Sequence, residues 1–412
     1  MIKHRILYFI AVISILISSC QKEEDNIASS TTPDTTPQTT LMYMTGTDLS
    51  SFFSSNITAA KKAIVTDALG YGRFLIFRHS TSSTATLVEY AYEDGSCTET
   101  TLEEYTNITS LSQDAITTVV ADLKRHAPAD TYNLIISGHA TGWVPKTRQT
   151  SSWSSPAATS QSAIDWEAMN SSPVVTRYLG STNDSFFDIE ELQVSLEATD
   201  THFGCIIFDE CFMASIEALY DLRNTCDYII ASPCEIMGAG FPYDTVLPEL
   251  FAENGTEPNL QGICQAYYDY YSTYTYPSGC VSMVVTEHLD ALASITAQIN
   301  ASQTNTVDLS EMQAYERLSE HLFYDFEQYM LALSSDQSLS ATFLETMEAA
   351  FPTDCRLYTE RFFANIGTSA SSSNNYEAYY TTINYYSGVT TSAPTSQMST
   401  EWAETAWSSI VK

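Results

Sequence analysis

Basic residues are scarce in this 412-residue chain: 17 Lys and Arg stand against 50 Asp and Glu, a formal net charge of −33. Without a basic footprint, nucleic acid is excluded as a general partner. The carboxylate excess keeps a surface rich in Ser, Thr and Tyr in solution and suits cationic ligands. The nine cysteines contain no Cys-x-x-Cys pair and no Cys/His cluster with zinc-like spacing, so no metal site is expected. Nor is there a Gly-x-Ser-x-Gly elbow for a serine nucleophile, an Asp-x-Asp-x-Asp-Gly loop for calcium, or a solenoid-like repeat. Core-forming residues are not lacking. Hydrophobic residues make up 44% of the chain, which is a globular composition with room for one large domain or two ordinary ones.

Only the first twenty residues hold a long apolar stretch. In MIKHRILYFIAVISILISSC, the basic Lys3, His4 and Arg5 precede an apolar stretch from Ile6 to Ile17 and a small-residue approach to Cys20. That layout is a secretory signal, too short for a good membrane span, and residues 1–19 are read as a signal peptide. The ending LISSC resembles the lipobox of bacterial lipoproteins, which implies cleavage before Cys20 and a diacylglyceryl anchor on its sulfur. The QKEEDN that follows resembles the acidic signals that bring lipoproteins of Bacteroides-like bacteria to the cell surface. The expected location is therefore the cell envelope, on the outer membrane and exposed. Residues 20–40, ending SSTTPDTTPQTT, are read as an extended polar linker.

The folded part is expected from residue 41. Apolar or β-rich runs at LMYMTG, GRFLIFRHS, ATLVEYAYE, YNLIISGHATGW, FGCIIFDEC and CDYIIASP read as strands. Between them SQDAITTVVADLKRHAP has helical spacing in Ala115, Ile116, Val119, Val120 and Leu123 behind a capping Ser112. Short apolar strands alternating with helices predict an α/β domain with an open, largely parallel sheet covered on both faces. Residues 144–185 form a long irregular stretch of the kind that is functional or disordered. Residues 305–412 are expected as a smaller, mostly helical C-terminal part with a closing strand. Its DLSEMQAYERLSEHLFYDFEQYMLAL reads as one long helix burying Met312, Tyr315, Leu318, Leu322, Phe326 and Tyr329.

Ligands of an open parallel sheet bind at the carboxyl ends of its strands. Two runs end there in reactive groups: NLIIS delivers Gly138-His139, and CIIFDE delivers Cys211. A cysteine attacks as its thiolate, and an imidazole nearby takes the proton or stabilises the anion. A helix beginning directly after Cys211 would lower the thiol pKa further. The backbone amides of Gly138, Ala140 and Cys211 are the expected oxyanion donors. His79, ending FLIFRHS, is a competing base with nothing Gly-rich around it.

SGHATGW, then some seventy residues on IIFDECFMASIEALYDLRNTCDYIIAS, then GFPYD, together resemble the clostripain family of cysteine peptidases in the caspase-like clan. The resemblance covers most of residues 41–412, with 41–304 as the caspase-like catalytic domain. It maps the catalytic His onto His139 and the nucleophile onto Cys211. Around them it places Gly142, Trp143, Asp209, Met213, Glu217 and Tyr220 in the family's pattern. It implies an endopeptidase working through a His/Cys dyad and a thioester, with a peptide or protein as substrate. Asp209 matches the carboxylate that binds a basic P1 side chain, so cleavage after Arg or Lys is implied. The family's usual acid before the His is Gly138 here, the Gly after it is Ala140, and the loop PCEIMGAGFPYD departs from the usual pattern. Relatives also suggest self-cleavage at Lys146, Arg148 or Arg177, and calcium as a cofactor by resemblance alone. The alternative from another class is an inactive caspase-like surface lipoprotein that binds peptide, protein or glycan, for which 26 tyrosines offer recognition surface.

Overall fold

Nine strands hydrogen-bond into one sheet, in the order β10-β8-β7-β6-β5-β1-β2-β3-β4. They are β1 Thr36–Met44, β2 Arg73–Thr81, β3 Thr84–Glu93, β4 Ser96–Thr106, β5 Ala129–Ser137, β6 Phe203–Asp209, β7 Cys226–Ala231, β8 Cys280–Val285 and β10 Leu357–Tyr358. Strand β1 runs parallel to β2 and β5, β5 to β6, and β6 to β7; the outer pairs are antiparallel. The computed structural model describes residues 35–45, 49–81, 83–146, 187–274, 277–303, 305–366, 379–394 and 398–412. The expected signal peptide, Cys20 and most of the expected linker lie outside those residues, as do Arg148 and Arg177. Residues Asp34–Lys412 form a single unit.

The expected linker gives way to strand earlier than residue 41. Thr36–Thr40 already belong to β1, and Gln38, Thr39 and Thr40 are buried. Gln38 and Thr39 are tolerated there because they find partners, whereas the Thr40 hydroxyl has none among the described residues. Gln38 Nε2 donates to Leu250 O at 3.0 Å, Thr39 Oγ1 to Ala127 O at 3.1 Å, and Asn133 Nδ2 to Gln38 Oε1 at 2.7 Å. Strand β4 had no apolar signal because its Thr- and Glu-rich residues sit half-exposed at the sheet edge. Its legible sign was Asp94-Gly95, both at positive φ, which closes the two-residue turn from β3.

Helices cover the sheet in two packed groups. One comprises α1 Ser50–Ile64, α5 Tyr243–Leu250 and α6 Leu260–Ser272. The other comprises α2 Gln113–His126, α3 Ile189–Glu197, α4 Ile216–Leu222, α7 Leu289–Ser302, α9 Gln337–Ala350 and α11 Ala406–Val411. Helix α2 matches its expectation closely: Ser112 Oγ accepts from Ala115 N at 3.2 Å, and all five expected apolar residues are buried. Sandwiched strands are apolar throughout, as Ile206, Ile207 and Phe208 of β6 show.

The long helix expected over residues 308–333 is not formed; only α8 Phe326–Leu333 is helical, after a 3₁₀ turn and the two-residue strand β9 Tyr324–Asp325. Tyr315, Leu318 and Leu322 are buried as expected, but from a loop, and Phe326 from the start of α8; Met312 and Tyr329, also expected in the core, are only partly buried. That loop is wound around Glu316, whose buried carboxylate accepts the amides of Leu318, Leu322 and Phe323. Those amides would otherwise bond along a helix, so the carboxylate competes with helix and prevails. Residues 305–412 are also interleaved with the rest: β10 extends the main sheet, and Thr390 of β13 Thr390–Thr391 bridges to Ser215. Two further short strands, β11 Arg361–Phe363 and β12 Tyr380–Thr382, pair with each other.

Asp325 anchors this C-terminal weave. It is fully buried and accepts from Gln328 N at 3.0 Å, Ser387 N at 2.8 Å and Tyr315 OH at 2.9 Å. Burial raises its pKa to about 6. The unfolded chain releases this proton near pH 4, before the native state does, so Asp325's contribution to stability falls as pH rises from 4 through 6 and levels off above. Urea unfolding of wild type should therefore lose about 2–3 kcal/mol more across that window than unfolding of Asp325→Asn. Parallel stability curves for the two proteins would show that Asp325 titrates normally.

Candidate active site

Strands β5 and β6 end in register, Ser137 opposite Asp209. His139 and Cys211 each lie two residues beyond that pair, on parallel strands that neighbour one another at about 4.8 Å. Both are buried, His139 5% exposed and Cys211 0%. The chain runs from β1 to β2 on one side of β1 and returns to β5 on the other, so these strand ends flank the switch of winding direction where sheets of this class form a crevice. His79 ends β2 on the far side of β1, with Nδ1 3.0 Å from Thr81 O, and does not join the pair.

After Cys211 the chain turns sharply. Phe212 adopts φ of 61°, a left-handed conformation costly for a residue with a bulky side chain. It is held there by Phe212 N donating to Cys234 O at 3.1 Å and by its ring stacking on Phe323 at 4.7 Å between centroids. Gly142, at φ 60°, completes the turn: a Cβ there would lie 2.7 Å from Phe212 O. The glycine is required by this backbone approach. The helix expected directly after Cys211 begins only at Ile216, so its amide end is displaced from the thiol by the Phe212–Ser215 turn.

The thiol is covered by the loop that follows β7. Ile236 N donates to Cys211 Sγ at 3.2 Å. The same loop closes over Asp209, which is 0% exposed. Asp209 Oδ1 accepts from Phe241 N at 3.2 Å, and Oδ2 from Tyr243 OH at 2.7 Å and Ser137 Oγ at 3.1 Å. The loop is in turn held from outside. Glu235 Oε1 accepts the amides of Asn365 and Ile366, both at 2.8 Å; Asn56 Nδ2 donates to Ala239 O at 2.7 Å; and Tyr271 OH donates to Gly240 O at 2.6 Å. Sequence reading named none of Glu235, Ile236 and Tyr243 as site residues. Ile236 contributes through its backbone, which no side-chain motif announces, whereas Tyr243 was present in the GFPYD run.

Gly138 N points to Asp209 O at 3.5 Å, prolonging the strand ladder. A Cβ at Gly138 would meet Thr45 Oγ1 at 2.0 Å and Glu210 Oε1 at 3.0 Å, so Thr45 fills the space an acidic side chain would need. Glu210 beside it is buried, 4% exposed. Ala140 is buried beside the strand end. Trp143 is also buried and donates from Nε1 to Ser392 Oγ at 2.8 Å. Glu217 serves the scaffold: its Oε1 accepts from Thr391 Oγ1 at 3.0 Å, Ser392 N at 2.8 Å and Trp402 Nε1 at 2.9 Å, and burial raises its pKa. Lys146 Nζ, at the start of the long irregular stretch, pairs with Glu191 Oε2 at 2.8 Å. Among the described residues, no group of three or more His, Cys, Asp or Glu side chains is arranged to hold a metal ion.

The chain is similar along nearly its whole length to proteins of known structure. A family model described as the clostripain family matches residues 42–409. Among solved structures, the chain is similar to iotapain, a secreted C11 cysteine protease from Bacteroides thetaiotaomicron, at 30% identity and a TM-score of 0.78, covering 92% of this chain and 100% of that one. An inactive zymogen C11 protease from Parabacteroides distasonis is similar at 26% identity and 0.73, covering 92% and 99%. A clostripain from Bacteroides thetaiotaomicron, in complex with the peptide inhibitor BTN-VLTK-AOMK, is similar at 30% identity and 0.50, covering 56% and 97%. No curated protein matches the chain.

A thiol sealed in this way should react slowly. With iodoacetamide on the native protein, the half-exposed Cys97 should be alkylated at least about tenfold faster than Cys211, because the thiolate needs both access and ionisation. Mass spectrometry of the two peptides over time measures the ratio. Faster labelling of Cys211 than of Cys97 would mean that the loop does not close the site in solution.

Proposed function

The chain belongs to the clostripain family of cysteine peptidases, and from that membership we propose that it cleaves peptide bonds through Cys211 and His139, after Arg or Lys. The observation that supports the dyad is the register of β5 and β6, which puts both residues at the same depth beyond neighbouring strand ends. In the proposed reaction His139 takes the proton of Cys211, and the thiolate attacks the carbonyl carbon. The oxyanion that forms is stabilised by backbone amides at Ala140 and Cys211, with Gly138 nearby. Collapse of the intermediate expels the amine, which receives the proton from His139, and leaves a thioester on Cys211. Water then attacks the thioester with His139 as base, releasing the acid and restoring the thiol.

Asp209 supports the specificity reading. A carboxylate buried at the strand end, on the side of Cys211 and the covering loop, is suited to a cationic guest that replaces its present donors from Phe241 and Tyr243. An arginine fork would satisfy both carboxylate oxygens at once. The inhibitor in the similar clostripain carries the letters VLTK, ending in lysine. In the closed arrangement Cys211 and Asp209 lie under one loop, so substrate entry requires that loop to swing away. The zymogen state named for a similar protein agrees with such a latent form. Self-cleavage within residues 146–177 belongs to the same reading, as does anchoring of the enzyme to the outer membrane surface through a lipid on Cys20.

Fluorogenic peptides differing only at P1 test the proposal, using the full chain beside Cys211→Ala, His139→Ala and Asp209→Asn. Turnover should be confined to Arg and Lys, and the two dyad variants should lose it by at least about 10³-fold. Asp209→Asn should lower kcat/KM for Arg substrates by about 10²-fold, the loss of one charge-assisted pair, in a protein whose melting shows it folded. Turnover after uncharged residues would move specificity to the covering loop. A protein with no Cys211-dependent turnover that still retains peptide would be the inactive binding lipoprotein instead.

A further inference from the structure

Phe323 lies outside both motifs of the site, more than a hundred residues beyond Cys211, yet its ring reaches the turns that follow Cys211 and His139. It stacks on Phe212, the residue after Cys211, at 4.7 Å between centroids and 11° between planes. A Cβ added to Gly142, three residues beyond His139, would lie 3.4 Å from Phe323 Cε1, in contact with the same ring. The neighbouring Leu322 is tied to the His139 turn by a second route. Trp143 Nε1 donates to Ser392 Oγ at 2.8 Å, and Ser392 Oγ donates in turn to Leu322 O at 2.6 Å. The ring of Phe323 is fully buried, and its backbone is held on both sides. Phe323 N donates to Glu316 Oε1 at 3.3 Å, and Phe323 O accepts from Tyr315 N at 2.9 Å. The place of the ring is therefore set by the loop wound around Glu316, not by β5 or β6.

We propose that Phe323 is a positioning residue: one ring braces the turn after Cys211 and the turn after His139, and so sets the thiol against the imidazole. The proposal rests on the dyad reading above and gives Phe323 no contact with substrate. Phe212 is strained at φ 61° and relaxes toward ordinary backbone unless its ring is held. The stack on Phe323 supplies that hold, and Cys211, one residue away, follows any relaxation. A stacked ring fixes orientation as well as volume, so an aliphatic side chain of similar bulk fills the space without fixing the turn. Displacing reacting groups by about 1 Å costs as much as about 10²-fold in rate. Asp209 is held by Ser137, Phe241 and Tyr243, from other segments of the chain, so the effect on the chemical step is separable from that on substrate affinity.

The test compares Phe323→Leu with wild type in the full chain. With an Arg substrate, kcat should fall at least about tenfold while KM stays within about threefold. The acid limb of the kcat/KM profile, which follows ionisation of the Cys211–His139 couple, should move up by about half a pH unit as the imidazole is drawn away from the thiol. A smaller folded fraction would lower kcat but leave that limb where it is. Hydrogen exchange at the Phe212 amide, which donates to Cys234 O, should quicken at least about tenfold, with the amides of α2 unchanged. Phe212→Leu removes the same stack from its other member and should reproduce these changes, so it serves if Phe323→Leu folds poorly. The double variant should lose no more than the worse single one. An unmoved acid limb in an active variant overturns the proposal, and so does unchanged exchange, whether or not the wild type turns over peptide. A wild type without Cys211-dependent turnover ends the peptidase reading, and exchange alone then decides the brace.

Discussion

Parallel pairing of β5 with β6 is the constraint from which the site follows. Because Ser137 stands opposite Asp209, the two chains leave the sheet level with one another, and Gly138-His139 and Glu210-Cys211 emerge side by side. A slip of one residue in that pairing would turn one of the two side chains to the opposite face. The register is secured on both faces by apolar residues of β5 and β6 that have no exposed alternative. It is secured at the strand ends by Ser137 Oγ donating to Asp209. Inside the sheet Asn133 adds a second tie, accepting from Cys205 N at 3.0 Å while donating to Gln38.

Buried carboxylates do much of the remaining organisation. Asp209 gathers the covering loop, Glu235 ties that loop to residues 365–366, and Glu217 fastens the C-terminal strand and Trp402 to the helix after Cys211. Glu316 and Asp325 fold the segment before α8 in the same manner. Each accepts two or more amide, hydroxyl or indole donors. These donors make burial of an acid tolerable, even at Glu217 where only Oε1 is bonded, and make the loss of any one acid costly, since several donors would be orphaned together. With few cations in the chain, these acids are matched mainly by backbone N–H groups, and the loops they gather become rigid without regular secondary structure.

The same device accounts for the elements that a pattern reading misplaced. Helical periodicity was present over residues 308–333, and four of its six expected core positions are buried, yet Glu316 draws three amides that a helix would have used. Periodicity reports which residues seek the core, not which backbone path brings them there. At Thr36–Thr40 polarity pointed to a linker, while partners from Leu250, Ala127 and Asn133, distant in sequence, made a buried strand of it. In both places side-chain hydrogen bonds overrode the pattern, within one loop at Glu316 and between distant segments at β1.

By itself the sequence determined the layered α/β fold, the central strands, helix α2 and the two strand ends that carry His139 and Cys211, because uniform apolar runs and their reactive termini are local properties of the chain. It also carried the family resemblance that the solved structures support along nearly the whole length. What only the tertiary structure decided is how the strand ends are covered. The sealing of Cys211 by Ile236 and the enclosure of Asp209 by Phe241 and Tyr243 depend on backbone groups and on residues dozens of positions apart. A backbone amide has the same chemistry at every position, so nothing local marks the one that will reach the Cys211 thiol. Its role is set when the loop closes on the sheet.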